Sequence, residues 1–204
     1  MKNKIIAVIG AGGKTTLIHR LAEEYRRKGA SVLVSTTTHM LVEPDTDLSC
    51  DSFAIMEKIK KTGYCMAGAV CPENSAKMQS LPEQMLHDLM KQVDYALIEA
   101  DGAKHYALKY PSEQEPVIPE GTTDVILVLG SWDLGKPCKD VVFRFEYMAS
   151  VLGISGDMKA DKQMLQWIWQ AYEEKLKNMD YQGHFHVLLS EKTDQGLMFH
   201  TLEE

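Results

Sequence analysis

The feature that most constrains this chain is a glycine-rich turn held between two apolar patterns. Ile5 to Ile9 is an unbroken apolar run, and Gly10-Ala11-Gly12-Gly13-Lys14-Thr15-Thr16 follows it directly. Leu17, Ile18, Leu21, Ala22 and Tyr25 then recur on one face at helical spacing. The first pattern reads as a buried strand and the second as an amphipathic helix from Lys14 to about Lys28. Arg26, Arg27 and Lys28 suit the negative end of that helix, and Gly29 supplies its stop. Ser31-Val32-Leu33-Val34 reads as the next strand. Strand, helix and strand in so few residues imply parallel pairing through a right-handed crossover. The expected fold class is therefore α/β: a three-layer domain with a mostly parallel sheet.

The turn also has a chemistry. A polyphosphate needs several N–H donors converging from one concave bend, and glycines let the backbone bend and approach closely. The following helix adds its positive end. Strand, glycine turn, Lys-Thr and helix is the layout of a phosphate-binding P-loop. Gly10, Ala11, Gly12, Gly13, Lys14, Thr15 and Thr16 are the expected phosphate contacts, with the Thr15 hydroxyl a ligand for Mg²⁺. The usual pattern opens on a glycine, and here Val8 stands in that place. Two other readings compete. One is a glycine joint with no ligand. The other is a dinucleotide turn, for which the third glycine position holds Thr15 and the next strand ends in Ser35-Thr36 instead of an acid.

At 204 residues one domain, 1–204, is expected. A hydrophobic content of 45% and a charged content of 25% are ordinary for a globular chain in water. The formal net charge of −7 argues against nucleic acid or an anionic membrane as partner. No apolar run approaches membrane-spanning length, and no secretory leader is expected. Cys50, Cys65, Cys71 and Cys138 form no CxxC pair, so reduced thiols in a cytoplasmic protein are the expectation. His184 and His186 share a strand face, which reads as a solvated edge before a metal site.

Four further stretches carry polar residues at the ends of apolar runs, where open α/β sheets bind ligands. Thr36-Thr37-Thr38-His39 closes the second strand; Thr38 is an expected metal contact, although threonines also simply favour strands. Tyr95 to Ile98 runs into Glu99-Ala100-Asp101-Gly102, and acids here are what a P-loop enzyme uses to hold the Mg²⁺ shell. Asp101 is the first choice for that role and Glu99 its competitor. The stretch from Ala103 to Gly121 has no regular period. Lys104 and Lys109 lie in it, either to meet phosphate or a second anionic ligand, or as exposed surface lysines. Thr122 to Gly130 is a buried strand leading to a loop with Asp133.

Elsewhere the spacing predicts a helix over Ala54–Lys61, a strand over Tyr64–Val70 and a capping box at Ser80-Leu81-Pro82-Glu83. One helix carries Val141, Val142, Phe145, Met148, Ala149 and Leu152 inward, with Gly153 as its stop. Asp161 is the expected N-cap of the longest helix, to about Asn178, and the tryptophans are expected core anchors. The last strand, His186–Leu189, precedes Ser190-Glu191-Lys192-Thr193-Asp194. This is near the pattern by which some GTPases read guanine, with Asp194 the base contact and Glu191 where an asparagine would stand.

Three stretches together resemble the YqeC-type accessory proteins of selenium-dependent molybdenum hydroxylases. They are Gly10 to Thr16, Thr36 to Met40, and Glu99-Ala100-Asp101-Gly102-Ala103-Lys104. Leu108-Lys109, Glu115-Pro116-Val117-Ile118-Pro119, Asp133, Gly135-Lys136-Pro137 and Arg144 extend the likeness over about residues 5 to 155. The resemblance implies a nucleotide-binding protein serving maturation of such a hydroxylase, with the hydroxylase or its cofactor-maturation proteins as partners. The combined expectation is Mg²⁺-dependent binding of ATP or GTP, with hydrolysis. Lys14, Asp101 and Lys104 are the catalytic groups, and Thr15, Thr38, Glu99 and Asp101 surround the metal. A small-molecule kinase or ligase, a nucleotide-gated chaperone and a dinucleotide oxidoreductase are the alternatives.

Overall fold

The computed structural model describes residues 3–202. The chain is α/β, with a mostly parallel seven-stranded sheet flanked by helices. In order come β1 (Lys4–Gly10), α1 (Lys14–Arg27), β2 (Val32–Thr36), β3 (His39–Leu41), α2 (Ser52–Thr62), β4 (Tyr64–Met66), β5 (Ala69–Val70), β6 (Lys77–Gln79) and α3 (Glu83–Lys91). Then follow β7 (Tyr95–Glu99), β8 (Leu108–Lys109), β9 (Asp124–Gly130), α4 (Cys138–Val141), β10 (Val142–Phe143), α5 (Phe145–Leu152), α6 (Lys162–Asn178), β11 (His184–Thr193) and β12 (Gly196–Thr201). In the large sheet β1-β7-β2-β4 are successive neighbours, and so are β9-β11-β12.

The chain divides into two compact units, each gathered from separate stretches. One holds the residues through Val8, Thr15–Gly102 and Val117–Asp124. In it β1 pairs parallel with β7, and β7 and β4 both pair parallel with β2. Burial is nearly complete along these strands, as expected where both sheet faces are covered. Ile55 and Ile59 of α2 and Leu86, Leu89 and Met90 of α3 pack with Ile5, Leu33, Ala96 and Ile98 of the strands into one apolar core. Asp51 caps α2 by accepting the Phe53 and Ala54 amides. No such cap forms on α3. Pro82 occupies its N-cap position and the Ser80 hydroxyl donates instead to the Leu81 carbonyl, so the expected capping box is absent.

The expected strand over Tyr64–Val70 is broken into β4 and β5. A Cβ at Gly68 would meet the Met78 sulfur at 2.6 Å, and β5 leaves to pair antiparallel with β6 in a small sheet with β3.

The second unit holds Ile9–Lys14, Ala103–Pro116 and the chain from Val125 onward. Asp161 caps α6 through the Met164 amide, as its place in the sequence predicts. Met164, Leu165, Ile168, Tyr172 and Leu176 of that helix are buried. Trp132, Trp167 and Trp169 are only partly buried, so the core anchor of α6 is Tyr172 and not a tryptophan. The single helix expected across Val141–Leu152 is two helices with a strand between them. Val142 and Phe143 are drawn into parallel pairing with Leu108 and Lys109, and Arg144 takes a left-handed φ of 66°. The β8–β10 pairing also gives part of the unpatterned 103–121 stretch a regular partner. The last strand is longer than its apolar run, because β11 continues to Thr193 and turns back as β12.

Candidate functional site

The carboxyl ends of β2 and β7 are level. In register Val8 lies opposite Glu99, and Thr36 lies opposite Glu99 on the other side. The threonine run and the Glu99–Asp101 stretch therefore leave from neighbouring strand ends. Hydrogen bonds stitch the two together. Thr36 Oγ1 donates to the Glu99 carbonyl at 2.8 Å, the Thr37 amide to the same oxygen at 3.1 Å, and the Ala100 amide to the Val8 carbonyl at 3.0 Å. Thr38 is half-buried, and its amide donates to Thr36 Oγ1 at 3.0 Å.

The most informative contact in the first unit joins Thr15 to Glu99. Thr15 Oγ1 donates to Glu99 Oε2 at 3.1 Å. A hydroxyl that donates its proton keeps lone pairs for a cation. The pair thus presents a hydroxyl and a carboxyl oxygen together, both of the hard type that Mg²⁺ takes. Asp101 is fully buried just beyond β7, and Glu99 is 7% exposed. Thr16 is half-buried in the first turn of α1.

Within the second unit the glycine turn is tightly walled. Gly10 has φ +85°, and a Cβ there would fall 2.3 Å from the Val128 carbonyl oxygen. Gly12 has φ +83°, and its Cβ would crowd Ala107 O and the Gly130 backbone at 2.6 Å. Both positions need glycine on two counts, handedness and space. Ser190, fully buried, donates its hydroxyl to the Gly12 carbonyl. The Ala11 amide is committed to the Val128 carbonyl at 2.9 Å, so Ala11 anchors the turn to β9 and does not offer its N–H to a ligand. Lys14, 5% exposed, folds back over the turn and donates from Nζ to the Gly10 carbonyl at 2.8 Å.

The remaining expected residues lie elsewhere in that unit. Asp194 is exposed at the two-residue tip of the β11–β12 hairpin, which Thr193 Oγ1 closes on the Gly196 carbonyl at 2.8 Å. Lys192 sits 4.6 Å over the Trp132 ring. Asp133 shapes a turn and pairs with Lys136 at 2.5 Å. His184 and His186 are exposed, with ring centroids 6.3 Å apart, and among the described residues no three His, Cys, Asp or Glu side chains gather as a metal cage.

Lys104 is exposed, its Nζ 5.3 Å from the Phe143 ring centre. Lys109 is not a surface lysine. Its side chain is fully buried, with Nζ 2.7 Å from Glu115 Oε2, and Arg144 Nη1 reaches the same oxygen at 2.5 Å. Burial opposes ionisation of Glu115, but the Lys109 ammonium and Arg144 guanidinium outweigh it and hold its carboxyl below the ordinary glutamate range. Sequence reasoning did not join these residues. They come from separate stretches, and only the β8–β10 pairing brings them to one place. Ser190 was likewise missed as a support of the turn; a lone serine after an apolar run carries no distinguishing signal.

Residues 6–146 match the family described as YqeC protein. A relative from Escherichia coli (strain K12), named "Uncharacterized protein YqeC", is 34% identical over 161 residues. That match takes in 75% of this chain and spans 62% of the relative's own length. No solved structure matches the chain. No helix among the described residues is long and apolar enough to cross a membrane.

Proposed function

This chain belongs to the YqeC family, and from that premise we propose that it binds ATP or GTP with Mg²⁺ and hydrolyses the terminal phosphoanhydride. The observation that carries the reading is the glycine turn. Its left-handed bends at Gly10 and Gly12 have no room for a side chain, and it runs straight into α1 with Lys14 folded over it. A turn of this kind supplies amides and a positive helix end to an anion. Lys14 exchanges the Gly10 carbonyl for phosphate oxygens, at small cost because one acceptor replaces another.

The donor set suits magnesium. Mg²⁺ keeps several waters and asks for only one or two protein oxygens beside substrate phosphates. Thr15 and Glu99 are the residues that would hold it, Thr15 directly and Glu99 through the hydroxyl it already touches. Bound there, the ion would neutralise charge on the phosphate oxygens. Between the two acids this contact favours Glu99 for the metal shell and leaves Asp101 to orient water. Asp194 remains the proposed base contact, on its place in the Glu191-Lys192-Thr193-Asp194 stretch. A role in maturing a molybdenum hydroxylase rests on the family resemblance.

Calorimetric titration of Lys14→Ala with ATP and GTP, each with Mg²⁺, tests the reading. A loss of at least tenfold in affinity, with phosphate release falling in parallel, is expected. Parent-like affinity in the variant overturns the assignment of the turn.

A further inference from the structure

We infer that Lys104 and Arg144, gathered around the Phe143 ring with Lys109 and Glu115 behind them, seat the oxyanionic group of a second small-molecule ligand. Three cations converge on one aromatic ring. Lys104 Nζ lies 5.3 Å, Lys109 Nζ 5.6 Å and Arg144 Cζ 5.1 Å from its centre. The ring face attracts each of them weakly, and the carboxylate among them is Glu115. Three cationic groups lie together here, in a chain whose formal net charge is −7. A cluster of one sign of charge is a focus for an anion.

The parts differ in what they can do. Lys109 is fully buried and bound to Glu115, so it positions that carboxylate and meets no ligand itself. Glu115 in turn steadies Arg144, whose side chain is 28% exposed, and Lys104 is exposed outright. The groups open to a ligand are thus a guanidinium, whose planar fork suits two oxygens of a carboxylate or phosphate, and an exposed ammonium over the same ring. Tyr106, 37% exposed, lies with its ring centre 5.7 Å from that of Phe143 and walls one side.

Backbone geometry points to the same place. Lys104, His105 and Arg144 all hold left-handed φ values, of 46°, 66° and 66°. Non-glycine residues keep that conformation where their surroundings impose it, and such positions cluster at ligand clamps. The clamp also adjoins the glycine turn inside its own unit. Ala107, two residues past His105, accepts the Gly130 amide at 2.9 Å and is the wall that Gly12 has no room to press against. The seat therefore lies where an acceptor or effector of the nucleotide would bind. That purpose rests on the nucleotide reading; the anion chemistry does not.

The test titrates inorganic phosphate and, separately, malonate into the parent, Lys104→Gln, Arg144→Gln and Lys14→Ala, all without nucleotide. At least one anion is expected to saturate the parent. That binding should weaken tenfold or more in Lys104→Gln and Arg144→Gln and persist in Lys14→Ala. Whichever anion binds more tightly identifies the ligand as a phosphate ester or a carboxylate. Lys104 is exposed, so its variant reports even where Arg144→Gln folds poorly. Parent-like binding in Lys104→Gln, a loss confined to Lys14→Ala, or no saturable binding of either anion overturns the proposal. None of these outcomes depends on the nucleotide titration, so the two readings fail separately.

Discussion

The glycine turn and the Phe143 cluster are both polar sites of the second unit, and they are built in opposite ways. The turn is a run of consecutive residues, Gly10 to Lys14, whose shape follows from which side chains are missing. The cluster is collected from Lys104, Lys109, Glu115 and the Phe143-Arg144 pair, and its shape follows from which side chains are charged. A backbone site is specified locally by the absence of Cβ atoms. A side-chain site has to wait for the strands that carry it to pair. The difference predicts that the turn fails through sterics and the cluster through uncompensated charge.

The strongest test of this contrast is Gly10→Ala. The added Cβ meets the Val128 carbonyl oxygen at 2.3 Å on a backbone of φ +85°. Left-handed strain and overpacking against a rigid backbone together cost about 4 kcal/mol. A large fall in melting temperature, with no dependence on pH or salt, is expected. Next is Glu115→Gln, which takes from the buried Lys109 the carboxylate 2.7 Å from its ammonium. Breaking a buried pair costs about 3 kcal/mol at neutral pH, toward the low end because Arg144 reaches solvent.

This second loss has a pH signature that the first lacks. The carboxyl of Glu115 is held below its ordinary value in the folded chain, so its contribution is fully present above the unfolded glutamate pKa. It disappears as pH falls through the lower, folded value. Denaturant melts of parent and Glu115→Gln should therefore converge on acidification below about pH 4.3; a constant gap would mean the carboxylate is not the stabilising group. The smallest effect is expected from Lys104→Gln. An exposed lysine at the rim should change stability by less than about 0.5 kcal/mol, while its effect on anion binding is large. A substantial drop in stability would turn the rim into part of the scaffold.

Much of the fold was legible because its signals are local. Gly29 stands after α1, Asp161 caps α6, and the apolar runs at Ile5–Ile9 and Val125–Leu129 form buried strands. The misread stretches are those where another part of the chain made a better offer. Val141-Val142 fits a helix face as well as a strand, and β8 decided between them. Tyr64 to Val70 has the composition of one strand, but β5 found its partner in β6. Lys109 shows the same limit in the site. Nothing near it in the chain announces a buried lysine, because Glu115 becomes its counter-charge only once the intervening residues fold back.

By itself the sequence determined the α/β class, the glycines of the bend at Gly10–Gly13 and an acid, Glu99, at the end of β7, since periodicity, missing side chains and strand-end acids act over a few residues. Tertiary structure alone decided that Thr15 bonds Glu99, that Ser190 braces the Gly12 carbonyl, and that three cations share Phe143. Those contacts join residues up to 178 positions apart. Their energy comes from desolvated partners meeting at short range, a condition that holds only after the strands bearing them have packed.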